Sequence, residues 1–284
     1  MSKNIAVIVT YKRQIMFDKL INSIALQENK FDYVYVVDNE SSVVTEKLVK
    51  SFGTNYVYLN PLKNLGCAGG FNYGISFLLN EHHDGNLVFL DDDVVLKKNF
   101  ISVINENSLL HAGNCIIPSK KYIDDTVFLW SPILTKNKLF VKRNIESFHT
   151  GLLDRPIKVD NITFEGCIID IKIIRAIGLP NKEFFIDGDD FEYGIRINKV
   201  TSIYKIPDIL IERQIKIETV EKSLNFILFK FKSIRSKQTE FRLYYEIRNK
   251  YLIAKCLGYN KIQSIFFIFP HVPGFIPLNN FQVI

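Results

Sequence analysis

The chain has 284 residues, more than a typical single α+β domain and fewer than two full ones. Lys and Arg outnumber Asp and Glu by 36 to 30. This modest excess permits an anionic ligand or an acidic membrane surface, and we expect no nucleic-acid partner. Hydrophobic residues make up 47% and charged residues 23%, which excludes a disordered or collagen-like chain.

The spacing of the cysteines indicates a reducing compartment, and the lengths of the apolar runs indicate neither a signal peptide nor a membrane span. The four cysteines lie far apart without a C-x-x-C pair, so neither a disulfide framework nor a structural zinc site is indicated. The apolar run 5–9 is too short for a signal peptide and predicts a buried first strand. No stretch approaches the roughly 18–20 apolar residues that span a bilayer. We therefore expect a cytoplasmic protein, and we leave open a peripheral contact with the inner face of the plasma membrane.

Apolar runs alternate with helical patterns through residues 1–100, which is typical of βαβ units and a mostly parallel sheet. The predicted strands are 5–9, 33–37, 56–59 and 87–90, and the predicted helices are 17–26, 43–52 and 71–80. Polar residues follow the strands at 10–13, 38, 64–70 and 91–93. Because ligands bind at the carboxyl edge of an open α/β sheet, these segments predict the site.

The rest of the chain divides near residue 220. Residues 101–220 have a less regular pattern, and we assign them to the distal half of one domain that spans 1–220. Residues 221–284 are rich in Phe, Tyr, Lys and Arg, and we expect a helical, basic-aromatic extension. Such an extension can dock on an anionic membrane, pack against a partner subunit or cap the sheet edge. Homo-oligomerisation is also left open.

Three adjacent carboxylates, Asp91, Asp92 and Asp93, follow the predicted strand 87–90. Like charges repel, so such a triplet at a strand end is usually offset by a cation or by hydrogen-bond donors. Alternate residues of an extended segment point the same way, so Asp91 and Asp93 can face one ion while Asp92 faces elsewhere. Hard oxygen ligands suit Mg²⁺ or Mn²⁺. The alternative is a solvated acidic loop or a helix N-cap.

Two further segments combine polar residues with glycines. The run N-L-G-C-A-G-G-F-N at 64–72 precedes a helix, where backbone N–H groups can approach a phosphate, although a tight turn without a ligand fits as well. The run D-G-D-D-F-E at 187–192 crowds four acids into six positions. One of these acids can act as a general base, or Asp189 or Asp190 can cap a helix.

Five segments occur in order along residues 9–196: V-T-Y-K-R, V-V-D-N, N-L-G-C-A-G-G-F-N, D-D-D and F-I-D-G-D-D-F-E-Y-G-I-R. Together they resemble the inverting family 2 glycosyltransferases of GT-A fold, in the branch of bacterial galactofuranosyl- and rhamnosyltransferases. The resemblance covers residues 4–215, and Y-Y-E-I-R-N at 244–249 resembles a segment common downstream in that branch. It implies a Rossmann-like, mostly parallel sheet flanked by helices, with 1–100 binding the nucleotide sugar and 101–220 binding the acceptor.

The resemblance also implies roles for single residues. It places Thr10, Tyr11 and Arg13 in the nucleotide pocket, Asp38 on the base, and Asn64, Gly66, Gly69, Gly70, Asn72 and Asp92 along the donor. Asp91 and Asp93 are expected to hold Mn²⁺ or Mg²⁺ on the diphosphate. Asp190 is expected to be the catalytic base, with Asp189 as its rival. Trp130, His149 and Glu165 fall in the half that usually binds the acceptor.

One departure from the family pattern concerns the third metal ligand. The family often places a metal-binding His after the base, at the end of a strand that follows a Pro. The corresponding stretch here, 206–214, reads I-P-D-I-L-I-E-R-Q and has no His. Glu212 or Arg213 takes that place. Glu212 is the candidate ligand, whereas Arg213 can neutralise a diphosphate without coordinating.

The sequence therefore predicts a metal-dependent inverting glycosyltransferase. The expected donor is a UDP- or dTDP-sugar carrying galactofuranose, rhamnose or a similar hexose, and the expected acceptor is a bacterial cell-surface polysaccharide or lipid-linked glycan. A sugar-nucleotidyltransferase is a rival, but the segment 10–14 lacks the glycines that its first loop needs. The other rival is a degenerate scaffold that binds nucleotide or glycan without turnover, which the missing His would favour.

Overall fold

A computed structural model describes residues 2–82, 84–126, 128, 134–136, 141–143, 153–216, 219–226, 229–236 and 239–268. Trp130 and His149 lie outside the described residues. The chain divides into two units. The first is drawn from Met1–Leu134, Arg143–Phe185 and Asp189–Ile215, and the second from Thr135–Lys142, Ile186–Gly188 and Lys216–Ile284.

The first unit is built on a mixed sheet that has nine strands in the described part of the chain. Its strands are β1 (Asn4–Thr10), β2 (Tyr33–Asp38), β3 (Tyr56–Leu59), β4 (Asn86–Asp91), β5 (Val94–Leu96), β6 (Cys115–Tyr122), β9 (Ile157–Val159), β10 (Ile168–Asp170) and β11 (Ile203–Arg213). The order is β3-β2-β1-β4-β10-β6-β11-β5, and β9 also pairs with β11. Strands β1 to β4 pair in parallel, whereas β10 runs antiparallel to both β4 and β6.

Helices cover both faces of this sheet. They are α1 (Gln14–Ala25), α2 (Val43–Ser51), α3 (Gly66–Glu81), α4 (Phe100–Glu106), α5 (Ser108–His111), α6 (Ile171–Ile177) and α7 (Asp189–Ile197). Alternate residues of β1 enter two separate cores, because side chains alternate across a strand. Ile5 and Val7 pack in the core that includes α3, and Ala6 and Ile8 pack in the core that includes α1. The expected α/β class is confirmed.

The glycine run is helical rather than a loop before a helix, because α3 begins at Gly66. Gly66 has φ +71°, and a Cβ atom there would lie 2.2 Å from the carbonyl oxygen of Phe185. The N–H of Ala68 donates to that same oxygen at 3.2 Å. Gly70 has no room for a side chain either, since its Cβ would lie 2.6 Å from Val9. The first turn of α3 is thus packed tightly against its neighbours.

Among its described residues, the second unit holds most of a short strand pair, a hairpin and two helices. Strands β7 (Leu134–Lys136) and β8 (Val141–Arg143) form one short pair, and β12 (Thr219–Phe226) and β13 (Phe229–Ser236) form an antiparallel hairpin. Helices α8 (Glu240–Cys256) and α9 (Lys261–Ile268) follow. We expected a helical extension after residue 220, and the hairpin is where the structure differs. The alternation of Phe and Lys in F-K-F-K at 229–232 has the two-residue period of a strand. No helix in the described ranges is long and apolar enough to cross a bilayer.

We predict that Gly66→Ala lowers the free energy of unfolding by about 2 kcal/mol or more, through its positive φ and its clash with Phe185. Urea unfolding measures this loss. Gly113→Ala is the matched control, because Gly113 has φ +80° but nothing within 4 Å of its Cβ position. The control should lose only about 1 kcal/mol. Equal losses in the two variants would contradict the close approach.

Candidate functional site

The ends of β1 and β4 bring the first group of polar residues together. These strands are parallel neighbours, with Val9 opposite Asp91. The residues that follow β1 therefore meet the Asp triplet at the carboxyl edge of the sheet. Thr10 is buried, whereas Tyr11 and Arg13 are partly exposed. This edge is the one that the sequence predicts for ligand binding.

Asp92 organises the segment after β1. Its Oδ2 accepts hydrogen bonds from the Thr10 hydroxyl at 3.0 Å and from the Tyr11 N–H at 3.3 Å. Its Oδ1 accepts from Arg13 Nη1 at 2.9 Å, and the same nitrogen lies 3.2 Å from Asp93 Oδ2. Asp92 thus holds Thr10, Tyr11 and Arg13 in one arrangement. Its carboxylate has its partners within the protein.

Asp91 and Asp93 form a candidate metal cluster with Glu165. Carboxylate oxygens of the three residues lie within 4.8 Å of one another. Asp93 and Glu165 are buried, and Asp91 is partly buried. Asp93 Oδ1 has no hydrogen-bond partner among the described residues. A buried, unpartnered carboxylate oxygen beside two other carboxylates suits a hard divalent cation such as Mg²⁺ or Mn²⁺.

The pKa shifts reflect this crowding of acids. Burial, followed by the charges of Glu165, Asp93, Asp92 and Asp189, raises the pKa of Asp91 well above its ordinary value. Burial and Glu165 also raise the pKa of Asp93, while Arg13 and Arg213 oppose that shift. Both carboxylates are therefore costly to ionise without a bound cation.

Glu165 reaches the cluster because of the backbone before β10. The N–H of Gly166 donates to the carbonyl of Phe89 at 2.7 Å, which lays residue 165 beside the end of β4. Gly166 has φ +89°, and a Cβ there would lie 2.0 Å from Ile211. Sequence reasoning missed Glu165 as part of the metal cluster and placed it in the acceptor half. The local pattern, an acid and a glycine before an apolar strand, does not tell which strand β10 pairs with.

Two buried cations compensate Glu165. Lys120 Nζ lies 3.0 Å from its Oε2, and Arg213 Nη2 lies 3.1 Å from its Oε1. Burial alone would raise the pKa of Glu165, but Lys120 and Arg213 outweigh it, so the net shift is downward. Glu165 is thus held as a carboxylate.

Glu212 and Arg213 point in different directions, as neighbours in a strand do. Glu212 forms ion pairs with Lys97 and, at 3.3 Å, with Lys121. Arg213 lies against Glu165, with its guanidinium 4.6 Å from the ring centroid of Phe128. Arg213 Nε and Nη1 are buried and have no acceptor in the described part of the chain. The structure therefore places Arg213, and not Glu212, beside the cluster.

The glycine-rich segment 64–72 is held by hydrogen bonds to Asn39, which follows β2, and to Pro180. Asn39 Nδ2 donates to the Gly66 carbonyl at 3.0 Å, and Asn64 Oδ1 accepts from the Gly66 N–H at 2.9 Å. Asn72 donates to the Pro180 carbonyl at 2.8 Å. A Cβ on Gly69 would lie 2.8 Å from Leu65. Packing therefore explains these residues in part, and their contact with a donor stays a prediction.

Asp38 is buried at the end of β2. Its carboxylate accepts hydrogen bonds from the N–H groups of Glu40 and Ser42, at 2.9 and 2.7 Å, and from the Tyr58 hydroxyl at 3.0 Å. These bonds shape the turn into α2, whose N-cap is Ser42. The contact of Asp38 with a nucleotide base also stays a prediction.

The two candidate bases begin α7. Asp189 is buried, whereas Asp190 is half-buried and accepts from the Phe191 N–H at 2.7 Å. Cys67 connects this helix start to the metal cluster, since its Sγ lies 3.8 Å from Asp91 Oδ1. Burial, then the charges of Asp189, Asp91 and Asp190, raises the pKa of Cys67 well above its ordinary value. The thiol is therefore neutral between the two acidic groups.

We predict that Asp91→Asn stabilises the protein in EDTA at about pH 8 and raises Tm by about 2–4 °C. The folded pKa of Asp91 lies above its unfolded value of about 3.9, so the folded state loses stability as pH rises from the unfolded pKa through the folded one. Asparagine removes that cost, and the gain should fade towards pH 4. Calorimetric Tm values across pH test this.

Asp208→Asn is the control for this substitution, because Asp208 is exposed on β11. It should leave Tm unchanged at every pH. A Tm of Asp91→Asn that stays below that of the wild type in EDTA at about pH 8 would contradict the account.

Comparison with known proteins bears on the whole chain. A sequence profile described as Glycosyl transferase family 2 matches residues 5–176. The chain is 26% identical over 196 residues to galactofuranosyltransferase GlfT1 of Mycolicibacterium smegmatis, covering 68% of this chain and 64% of that protein. It thus spans less than two thirds of GlfT1. It is also 26% identical over 260 residues to dTDP-rhamnosyl transferase RfbF of Shigella flexneri, covering 90% of this chain and 81% of RfbF.

Solved structures share the fold. The crystal structure of S. aureus TarS in complex with UDP-GlcNAc has a TM-score of 0.60, covers 95% of this chain and 71% of that chain, and is 12% identical. This similarity confirms the expected GT-A type of α/β fold. Since the profile matches more than half of its residues, the chain belongs to glycosyl transferase family 2.

Proposed function

We propose that this chain transfers a hexose from a UDP- or dTDP-sugar to a glycan hydroxyl, in one metal-dependent inverting step. The observation that carries the proposal is the cluster of Asp91, Asp93 and Glu165 at the carboxyl edge of the sheet, with one buried oxygen of Asp93 left without a described partner. The names of the relatives support the class of donor, since one is a galactofuranosyltransferase and another a dTDP-rhamnosyl transferase.

Asp91 and Asp93 are the residues that would hold Mn²⁺ or Mg²⁺. Their oxygens are hard ligands, and the unpartnered Asp93 Oδ1 is the observation that fits such an ion. A bound divalent ion would supply positive charge that stabilises the departing nucleoside diphosphate. Glu165 is our candidate for the third carboxylate, and Glu212, which the sequence favours, is the rival.

Arg213 adds a fixed positive charge beside these carboxylates. Two of its buried nitrogens have no described acceptor, and phosphate oxygens are natural acceptors for a guanidinium. On the other side of the cluster, Arg13 bridges Asp92 and Asp93 with its side chain partly exposed. We assign both arginines to the diphosphate, with Thr10 and Tyr11 lining the nucleotide pocket and Asp38 contacting the base.

Asp190 is our candidate for the catalytic base. A base must be reachable by the acceptor hydroxyl, and Asp190 is half-buried whereas Asp189 is buried. In the proposed step, Asp190 takes the proton of the acceptor hydroxyl as its oxygen bonds to C1 of the sugar. The bond from C1 to the phosphate oxygen breaks, and its electron pair leaves with the nucleoside diphosphate. The attack from the opposite side inverts the configuration at C1.

The acceptor in this proposal is a growing bacterial cell-surface polysaccharide, joined to a lipid or free. Residues that would support a peripheral contact with an anionic membrane surface are the exposed Phe241, Tyr244 and Tyr251 of α8 and Ile262 and Ile265 of α9. A scaffold that binds nucleotide or glycan without turnover is the alternative, since residues 206–214 lack the His with which the family often binds its metal.

We predict that UDP or dTDP binds in the presence of Mn²⁺ and that binding is lost in EDTA and in Asp93→Ala. Calorimetry with UDP, dTDP, GDP and CMP measures this and identifies the base. Glu165→Gln should weaken metal-dependent binding, whereas Glu212→Gln, whose carboxylate pairs with Lys97 and Lys121, should leave it unchanged. Weaker metal-dependent binding in Glu212→Gln than in Glu165→Gln would make Glu212 the ligand. If no nucleotide binds, the result contradicts the proposed donor and does not distinguish Glu165 from Glu212.

We predict that Asp190→Asn lowers kcat by about 10²-fold or more while the Kd for UDP or dTDP stays within about twofold of the wild type, because asparagine cannot accept the proton. Asp189→Asn is the matched comparison and should lose less. The assay measures sugar transfer to a glycan acceptor through the amount of nucleotide released. An Asp190→Asn variant with wild-type kcat would overturn the assignment, and a wild type that binds donor but never turns it over would favour the scaffold.

A further inference from the structure

We propose that Asn249 of α8 is a positioning residue for the acid pair that begins α7. It would act by holding the backbone of Ile186 and Asp187, which leads directly into Asp189 and Asp190. The inference rests on the proposed function, because Asp190 is a base only if the chain catalyses transfer.

The side chain of Asn249 is committed to this backbone. Asn249 is 1% exposed. Its Nδ2 donates to the carbonyl of Ile186 at 2.7 Å and to the carbonyl of Asp187 at 2.6 Å. Its Oδ1 accepts from Arg248, at 3.0 Å from Nε and 2.7 Å from Nη2. An amide nitrogen has two hydrogens to donate, so both are used on these two carbonyls while Arg248 fixes the amide.

The backbone that Asn249 holds is in a conformation that needs support. Asp187 has φ +66° and Gly188 has φ +83°. A non-glycine residue at positive φ is disfavoured and persists where its surroundings determine it. Arg242 of α8 adds a second restraint, with Nε 3.3 Å and Nη2 3.2 Å from the two carboxylate oxygens of Asp187. One helix therefore holds both the backbone and the side chain of Asp187.

Residues 186–188 lead directly into α7. Asp189 is the residue after Gly188 and the first residue of α7. A change in φ at Asp187 or Gly188 would redirect the first carboxylates of that helix. Misplacing a catalytic group by 1 Å can cost about 10²-fold in rate. The loss of Asn249 should therefore slow the chemical step more than it weakens the binding of the donor.

Three variants of α8 test the inference. Asn249→Ala removes both hydrogen bonds to the backbone. Arg242→Ala removes only a partly exposed ion pair, so it should fold. Lys255→Ala is the control on the same helix, because Lys255 is exposed. The readouts are hydrogen exchange of peptides that cover 184–192, and kcat and KM for the donor.

We expect Asn249→Ala to exchange faster at 184–192 and to lose about 10- to 100-fold in kcat, with KM for the donor within about threefold of the wild type. Arg242→Ala should lose about threefold in kcat, and Lys255→Ala should match the wild type. A purely structural role would instead lower Tm and leave kcat of the folded fraction unchanged.

Unchanged exchange at 184–192, or faster exchange with a wild-type kcat, overturns the positioning role. If Asn249→Ala does not fold, Arg242→Ala decides, and a wild-type kcat in that variant overturns the inference. A wild type that turns over no donor contradicts the proposed function. A wild type that turns over donor as fast as Asn249→Ala contradicts the positioning role alone.

Discussion

The burial of like charges at the end of β4 is the constraint on which the site depends. Asp91, Asp92, Asp93 and Glu165 lie together, and buried carboxylates are costly unless cations or donors offset them. The offset comes from distant parts of the chain, namely Arg13 after β1, Lys120 on β6 and Arg213 on β11. The strand order brings these three elements to one edge of the sheet. The topology of the sheet therefore determines which positive charges surround the carboxylates.

The positive charges do not compensate the four carboxylates equally, and the carboxylates left uncompensated are the ones that can bind a metal ion. Asp92 and Glu165 have their partners within the protein, whereas the pKa values of Asp91 and Asp93 remain raised. A divalent cation is the charge that would satisfy them. The close approach of Gly66 to Phe185 brings the start of α3 to the same place, and Cys67 then lies between Asp91 and the start of α7.

Much of the first hundred residues could be predicted from the sequence, because period and strand-end polarity report local structure directly. Strand β3 has the predicted bounds, and Asp91 and Asp93 lie at the predicted edge. Glu165 could not be found in this way, because it joins the cluster through the pairing of β10 with β4, which no local pattern encodes. Composition alone does not predict the hairpin β12–β13, because its signal is the two-residue alternation of Phe and Lys at 229–232.

The central claim is that Asp91 and Asp93 hold a divalent cation on the diphosphate of a nucleotide. Anomalous X-ray scattering from crystals grown with Mn²⁺ and UDP or dTDP tests this most directly. The account predicts one manganese peak within coordination distance of both Asp91 and Asp93 that also touches the diphosphate. Nucleotide bound with no manganese between these two carboxylates would contradict it.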